Sequence, residues 1–473
     1  AVKRSKVDFP IKWNTPLDEE LGAFAMRTVK KEYLLTSGIL VLLFGFYVVW
    51  AVTQPYNSAP DEYMRYQIPE FIYQHGALPH GGDPSIRNPI WGISYGFTPI
   101  LSYIISAGFM KVTSLFTTDP FALLMSARMV SILCCVGVAF FCILIGKKLF
   151  KGGYRYLFVL LVALLPQFVF ISSYVNNDAL AMFSSAMIVY AWILGLQKRW
   201  DVKSCLLLAV AIAVCSLSYY NAYGFILCSV LLFAASFFFF ENKRYDYKSM
   251  LKYGVFIVAV VLLLVGWWFI RNAVLYNGDF LGMRTSDEYA QMYAREDLKP
   301  SNRVTPQAQG VSIAYMLFDM LWLKTSYRSF IGFFGYMSYP LPTWMYLLYT
   351  ALFFAGFLGV AVKVVNALSR IRGRSREEWK KALFFGTMVL ALCIPVLLSL
   401  YYSYCSDFQP QGRYLLPMLI PFMFLVTLGL KTLIERLFVS KKFQVFLQAC
   451  IGAGVVALSV LSYALVLYPA YVK

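Results

Sequence analysis

Two adjacent acidic residues, Asp61 and Glu62, stand just past the first long hydrophobic run of the chain. A carboxylate held at the outer mouth of a membrane helix bundle can accept a proton from an attacking group, so this pair is a candidate catalytic base. Neighbouring residues do not share a helical face, which predicts that Asp61 is the base and that Glu62 orients the loop or the second substrate. The alternative is that Asp61 caps a surface helix beginning near Glu62.

The elements that must position these residues are transmembrane helices. Of the 473 residues, 60% are hydrophobic and 14% are charged, and apolar runs long enough to cross a hydrocarbon core of about 30 Å recur along the chain. We therefore expect an all-α polytopic membrane protein, with a polar, basic cytoplasmic segment at 1–32 and a transmembrane domain at 33–473. The net charge of +18 needs no nucleic-acid partner, because basic cytoplasmic loops orient a membrane protein and face an anionic leaflet.

Charge bias then sets the topology. If the apolar run 97–116 crossed the membrane, the basic cluster after the next run would lie on the same outer side as Asp61, against the positive-inside rule. We expect this run to lie along the outer surface, which leaves a bundle of about 11 transmembrane helices. The external segments are then a first loop with membrane-lying helices at 53–123 and a long loop at 271–342. In the long loop, the apolar stretch 313–323 predicts another interfacial helix.

Four short motifs resemble those of the GT-C superfamily of integral membrane glycosyltransferases. Residues 61–66 (Asp-Glu-Tyr-Met-Arg-Tyr) are similar to the aspartate-centred motif in the first external loop of protein O-mannosyltransferases and lipid A aminoarabinose transferases. Residues 177–180 (Asn-Asp-Ala-Leu) sit where those families carry a second acidic motif. The motifs at 267–272 and 411–417 are similar to a group of uncharacterised bacterial membrane proteins assigned to the same superfamily. The resemblance covers roughly 33–421 and implies a GT-C-like bundle.

The resemblance also implies a reaction. Such enzymes move a sugar from a polyprenyl phosphate or pyrophosphate carrier to an acceptor, with inversion at the anomeric carbon, here an envelope polymer or lipid on the external face of a bacterial plasma membrane. Asp61 would be the general base for the acceptor hydroxyl, an effect of about 10²–10⁴-fold. Glu62 and Asp178 would shape the site. Arg65 would hold Asp61 or Glu62 ionised, since an opposite charge lowers a carboxylate pKa.

Departure of a lipid phosphate calls for fixed cations near the outer membrane surface. Arg271 and Arg413 each lie at the outer end of an apolar run, and arginine suits bidentate phosphate binding. Lys324 and Arg328, which follow the expected interfacial helix, are further candidates for the same phosphate. The alternative for a terminal arginine is that it snorkels to the interface.

Asp178 begins an apolar run at its outer end, where it either faces the same cavity as the base or caps the helix, as Asn177 could also do. A divalent cation between the two aspartates is conceivable, as in the oligosaccharyltransferases of the superfamily. However, the second motif lacks the paired acids of such sites, so no metal and no other cofactor are predicted. A zinc site that uses the two external histidines, His75 and His80, is a further alternative.

A transporter or flippase for a lipid-linked sugar is the rival function. Transporters place ionisable residues near the bilayer midplane and carry inverted repeats with broken helices. Here the apolar runs are almost free of charge, and the acidic and basic groups gather at the outer rim. This distribution favours surface chemistry, with a polyprenyl-linked sugar donor, a glycan or lipid acceptor and the bilayer as partners, and no nucleic acid.

Overall fold

The computed structural model describes the backbone of residues 22–240, 245–368 and 375–472, and the side chains of these ranges except at 22–31 and 368. Most of the expected cytoplasmic segment, 1–32, therefore lies outside the described residues.

The described chain is almost entirely helical. The α-helices are α1 (Gly22–Thr53), α2 (Glu62–His75), α3 (Leu101–Thr113), α4 (Pro120–Leu149), α5 (Tyr154–Ala163), α6 (Pro166–Ile171), α7 (Asp178–Lys198), α8 (Val202–Ser216), α9 (Gly224–Ser236), α10 (Tyr247–Leu275), α11 (Met283–Tyr293), α12 (Ile313–Phe318), α13 (Trp322–Ile331), α14 (Thr343–Leu368), α15 (Arg376–Cys405), α16 (Leu419–Leu437), α17 (Lys441–Ser462) and α18 (Tyr468–Tyr471). A two-stranded antiparallel hairpin pairs β1 (Phe333–Phe334) with β2 (Tyr339–Pro340). Short 3₁₀ segments lie at Tyr95–Phe97, Tyr220–Ala222, Glu296–Leu298, Pro300–Asn302 and Gly412–Met418, and a π-helical turn, Tyr463–Leu467, joins α17 to α18. The expectation of an all-α fold is confirmed.

Eight helices within the described ranges are long and apolar enough to cross a bilayer. They are Glu32–Thr53, Pro120–Leu149, Asp178–Lys198, Tyr247–Leu275, Thr343–Ala367, Arg376–Cys405, Gly412–Leu437 and Lys441–Tyr471. Four further apolar helices are shorter: Leu101–Thr113, Tyr154–Ala163, Val202–Ser216 and Tyr220–Ser236. Because a straight crossing needs about 20 residues, the chain is a polytopic membrane protein whose total of about 11 crossings stays a prediction.

Of the two apolar runs expected to lie outside the bundle, one forms a single helix and the other forms two. The run 97–116 forms α3, which packs against α2 and α4. The stretch 313–323, expected as a single helix, is broken. Helix α12 ends when the amides of Asp319 and Met320 both donate to the carbonyl oxygen of Tyr315, and Leu321 then takes a left-handed φ of 59° before α13 begins. Such a termination closes one helix and redirects the chain into the next.

Close packing at glycines fixes both α16 and the 3₁₀ segment before it, which carries Arg413. Helices α14 and α16 approach so closely at Gly356 and Gly429 that a Cβ on Gly429 would collide with the carbonyl group of Gly356. Small residues permit this approach. At the start of the 3₁₀ segment before α16, a Cβ on Gly412 would likewise collide with the backbone of Phe330 in α13. The motif at 411–417 therefore holds Arg413 directly beside α13.

A second, smaller apolar core holds segment 53–123 on the bundle. Its members come mainly from α2, α3, α4, α8, α10 and the turn before α7, and include Ile68, Met110, Leu124, Trp268 and Val175. Burial of this apolar surface fixes α2 beside the turn that precedes α7. The two acidic motifs of the sequence are brought together in this way.

Candidate active site

Asp61 precedes α2 with a left-handed φ of 63°. Its side chain makes no capping hydrogen bond. Instead, Oδ2 accepts hydrogen bonds from Nη2 of Arg413 at 2.7 Å and from the hydroxyl of Tyr95 at 3.0 Å. The side chain remains 29% exposed. Asp61 therefore occupies the cap position of α2, but its side chain does not cap the helix, and the carboxylate instead forms the accessible end of a buried charge cluster.

Arg65, one helical turn after Asp61, links the two acidic motifs. Its Nη1 donates to Oδ1 of Asn177 at 2.9 Å and to Oδ2 of Asp178 at 3.0 Å. Its Nη2 lies 3.9 Å from Oδ2 of Asp61, and its guanidinium group stacks over the ring of Tyr95 at 4.8 Å. The side chain of Arg65 is fully buried. Arg65 therefore bridges the two aspartates.

Asp178 is the first residue of α7 and does not cap it. Asn177, the residue at the cap position, makes no capping hydrogen bond either. The amide of Ala179 is satisfied by Oδ1 of Asn176 at 2.8 Å. Asp178 is therefore free of the capping role: Oδ2 pairs with Arg65, and Oδ1 is buried without a hydrogen-bond partner.

The charges of this cluster balance. Burial alone would raise the pKa of Asp61, but the positive charges of Arg413 and Arg65 and the hydrogen bonds outweigh it and lower that pKa to about 2. Asp61 is therefore ionised at physiological pH. Two guanidinium groups and the carboxylates of Asp61 and Asp178 sum to zero net charge. While Arg413 holds the carboxylate, Asp61 is a poor proton acceptor, because basicity falls with pKa.

Glu62 points away from this cluster into the protein. Both of its oxygens accept from Arg128, at 2.8 Å each, and also from the backbone amides of Val175 at 3.1 Å and Asn57 at 3.0 Å. Glu62 and Arg128 are both fully buried. The structure therefore leaves Glu62 no oxygen free to bind a substrate, and its position fits the loop-orienting role.

The remaining predicted cations lie outside the charge cluster. Arg271 donates to the carbonyl oxygen of Pro79 at 2.8 Å and stacks on Trp268, so it ties segment 53–123 to α10. Arg328 on α13 stacks over Tyr346 at 4.5 Å, and its Nε is buried without a partner. Lys324, one turn earlier on α13, lines an apolar cavity of about 390 Å³. The other residues lining that cavity are Leu317, Phe318, Leu323 and Tyr327.

Several polar atoms around Asp61 have no hydrogen-bond partner. They are Nε and Nη2 of Arg65, Nε and Nη1 of Arg413, Oδ1 of Asp178 and the hydroxyl groups of Tyr103 and Tyr174. All are buried. Buried polar groups normally find partners, because leaving one unpaired is unfavourable. These atoms can therefore donate to, or accept from, a bound oxygen-rich molecule.

Residues 89–423 match the family described as "Predicted membrane protein (DUF2142)". The chain belongs to this family. The matched residues of the DUF2142 protein include Arg128, Asp178 and Arg413, whereas Asp61 and Arg65 precede them. No curated protein sequence matches the chain.

Solved structures show the fold of this DUF2142 protein. The apo oligosaccharyltransferase of Archaeoglobus fulgidus superposes with a TM-score of 0.55 at 14% identity, covering 90% of this chain and 55% of that chain. The complex of that enzyme, AglB, with an inhibitory peptide and a dolichol-phosphate gives a TM-score of 0.54 at 14% identity, covering 90% and 55%. ArnT of Cupriavidus metallidurans bound to undecaprenyl phosphate gives 0.48 at 12% identity, covering 85% and 60%. The chain thus spans about half the length of AglB and has the GT-C fold.

The metal-ligating residue types do not cluster in the described part of the chain. Within the described ranges, no group of three His, Cys, Asp or Glu side chains is placed to share a metal ion. His75 contacts the carbonyl oxygen of Phe71 at 3.0 Å, and His80 packs among aromatic rings that include Tyr276. Among the residues that the structure describes, neither histidine is therefore placed with two further ligands for a metal ion.

Four residues of the site were missed from the sequence: Arg128, Tyr95, Tyr103 and Tyr174. Arg128 is the only charged residue in α4 before its basic last turn, and an ionisable residue inside an apolar run is a signal that could have found it. The three tyrosines carried no such signal, because tyrosines near the ends of apolar runs are expected at the membrane interface in any case.

Proposed function

We propose that this protein is an inverting glycosyltransferase. It transfers a sugar from a polyprenyl phosphate or pyrophosphate carrier to a hydroxyl group of an envelope polymer or lipid. The observation that carries the proposal is the charge cluster on a GT-C fold: a partly exposed carboxylate, Asp61, held between two buried arginines that still have N–H groups unpaired. A solved neighbour with this fold, AglB, binds a dolichol-phosphate.

In this reaction the acceptor oxygen attacks the anomeric carbon on the face opposite the carrier phosphate. Its proton passes to Asp61, the new C–O bond forms, and the bond between the anomeric carbon and the phosphate oxygen breaks. The electron pair of that bond remains on the phosphate, whose growing negative charge is stabilised by Arg413 through Nε and Nη1. Because the acceptor oxygen attacks on one face of the anomeric carbon and the phosphate leaves from the opposite face, the configuration at that carbon inverts.

The resting ion pair gives the steps an order. Arg413 holds Asp61 at 2.7 Å and keeps its pKa near 2. A phosphate that draws the guanidinium group toward itself removes the largest favourable charge from Asp61, so the carboxylate becomes a stronger base. The donor therefore prepares the base before the acceptor reacts.

The carrier's approach is proposed to run along α12 and α13. The apolar cavity of about 390 Å³ beside Lys324 suits part of an isoprenoid chain, and the Lys324 ammonium group suits the adjacent phosphate. Helix α13 also packs on the 3₁₀ segment that carries Arg413. Arg328, on the same helix, is the second cation of this path, whereas Arg271 is engaged elsewhere.

We propose that no metal takes part. Nη1 of Arg65 already bridges Asn177 and Asp178, and Nη2 stands near Asp61. A guanidinium group thus supplies the positive charge that a divalent cation would supply between two aspartates.

The site is proposed to face the exterior of a bacterial plasma membrane. The sequence places the basic loops, such as the Arg-rich loop at 369–376, on the side opposite to Asp61. Positive charge marks the cytoplasmic side of a membrane protein. An external site reaches envelope acceptors directly.

The test is glycan analysis of envelope material from cells that lack this protein and express the natural sequence, Asp61→Asn or Asp83→Asn. Asp83 lies in the same segment, and its carboxylate accepts hydrogen bonds from the amide and hydroxyl groups of Ser85. We expect the natural sequence and Asp83→Asn to restore a sugar substituent, and Asp61→Asn to fail at equal membrane abundance. Full restoration by Asp61→Asn would contradict a base at this position, and a build-up of carrier-linked sugar on the cytoplasmic face would favour a flippase.

A further inference from the structure

Two buried tyrosines next to the charge cluster have no structural use for their hydroxyl groups. Tyr103 lies on α3 and Tyr174 in the turn between α6 and α7, and both are fully buried. Neither hydroxyl has a hydrogen-bond partner. By contrast, the hydroxyl of buried Tyr47 donates to the carbonyl oxygen of Ala163 at 2.8 Å.

One group of unpartnered atoms lies around the charge cluster. Within the described ranges, seven of twenty buried side-chain polar atoms without a partner belong to Arg65, Tyr103, Tyr174, Asp178 and Arg413. Tyr103 and Tyr174 each lie within electrostatic range of both arginines and of Asp61 and Asp178. Phenylalanine would fill the same space without leaving a polar group unpaired. The hydroxyls are therefore suited to a ligand rather than to the fold.

The chemistry of these atoms selects a type of ligand. The arginine nitrogens donate, Oδ1 of Asp178 accepts, and the two phenol groups do either. Sugar hydroxyls also donate and accept, so they can pair with Oδ1 of Asp178 and with both phenol groups, which leaves Nε and Nη1 of Arg413 for the phosphate. A phosphate oxygen can accept but would be repelled by the free oxygen of Asp178.

Charge supports the same choice. Because Asp61 and Asp178 balance Arg65 and Arg413, an uncharged group can enter without leaving a net charge buried. Lys324 on α13 forms no ion pair with the described residues. Its positive charge lies on the path proposed for the carrier, on the helix that packs against the segment carrying Arg413.

We propose that Tyr103, Tyr174 and Oδ1 of Asp178 form the binding site for the donor's sugar ring, and that this ring is uncharged and carries free hydroxyl groups. The inference rests on the proposed function, since it assigns the phosphate and the sugar of the proposed donor to two neighbouring sites. The phosphate lies at Arg413 and toward α13, and the sugar lies between α3 and the start of α7. Asp61, which borders both places, then faces the anomeric carbon.

Binding measurements on the full-length protein in lipid nanodiscs test this division. The probes are farnesyl phosphate and its esters with glucose, mannose, galactose, glucosamine and glucuronic acid. We expect farnesyl phosphate to bind, and at least one uncharged sugar ester to bind 10-fold or more tightly than it. Tyr103→Phe and Tyr174→Phe should each reduce this preference by about 10-fold, the effect of losing roughly one hydrogen bond. Both should leave the affinity for farnesyl phosphate unchanged.

The melting temperature separates a ligand-binding role from a structural one. Tyr103→Phe and Tyr174→Phe remove unpaired hydroxyl groups, so their melting temperatures should equal or exceed that of the natural protein. The control, Tyr47→Phe, loses a made hydrogen bond and should melt lower while keeping the natural preference for the sugar ester.

The contradicting results are distinct. Equal binding of farnesyl phosphate and all its esters, preference for a charged sugar, or a lower melting temperature in both tyrosine variants would overturn the sugar site and leave the proposed transferase intact. Failure of the natural protein to bind farnesyl phosphate would contradict the proposed function itself, and this inference with it.

Discussion

Replacing Glu62 with glutamine should destabilise the protein rather than remove a substrate contact. The carboxylate accepts four hydrogen bonds, two from Arg128 and one each from the amides of Asn57 and Val175. A glutamine side chain has a single acceptor oxygen. Its NH₂ group would replace the other oxygen and face N–H donors of Arg128 and the backbone, with which it cannot form hydrogen bonds. At least two bonds are lost, and the buried guanidinium group of Arg128 loses its counter-ion. Breaking a buried ion pair by removing one partner costs about 3–5 kcal/mol.

The assay is equilibrium unfolding in detergent micelles or nanodiscs for four proteins: the natural sequence, Glu62→Gln, Arg128→Met and the double variant. Arg128 also donates to the carbonyl oxygens of Ala51, Gln54 and Pro55. The Arg128→Met change therefore removes the counter-ion of Glu62 and the donor to these three carbonyls. We expect each single variant to lose about 3 kcal/mol or more. The double variant should lose clearly less than the sum, because the two side chains share one interaction.

The opposite pattern would refute this reasoning. If Glu62→Gln unfolds like the natural protein yet transfers no sugar, Glu62 contacts a substrate, and the buried pair is not what fixes the loop. Additive losses in the double variant would show that Glu62 and Arg128 are not energetically coupled.

Three further outcomes are expected. Asp61→Asn should reduce the free energy of unfolding at neutral pH by about 2 kcal/mol, since the pKa of Asp61 falls from 3.8 to about 2 on folding. The difference between the two proteins is present above pH 3.8 and vanishes as the pH falls toward 2. Unfolding measurements at several pH values will check this. Arg413→Gln should move the acid limb of the pH profile of kcat/KM to higher pH, because the pKa of Asp61 rises when its nearest positive charge is removed. An acid limb that does not move in an active variant would argue against Asp61 as the titrating base. Exhaustive treatment with a chelator should leave the transfer rate unchanged, since Arg65 already bridges the acidic motifs, and restoration of lost activity by an added divalent cation would contradict this.

Much of the site could be predicted from sequence. Hydropathy and charge bias are local properties, so they indicated the membrane class and one rim that gathers the charged residues. The acidic motifs and the arginine of the 411–417 motif were recognisable by resemblance. The expectation that Asp61, Arg65, Asp178 and Arg413 would share a site agrees with the ion pairs that join them.

Other assignments could not be made from sequence, for a physical reason. Asp61 and Glu62 are neighbours of the same charge, and only the left-handed backbone at Asp61 turns one toward Arg413 and the other toward Arg128. Arg271 and Arg413 look alike at the ends of apolar runs, yet Arg271 is engaged by the carbonyl oxygen of Pro79.

The sequence by itself determined that this is a polytopic helical membrane protein and that carboxylates and arginines gather at one side, because transfer free energy and charge bias act on each segment separately. The tertiary structure decided which charges meet. The partners of Asp61 and Glu62 lie far away along the chain, Arg413 and Arg128 among them. Only packing between helices, including the glycine contacts beside α13 and between α14 and α16, sets those distances.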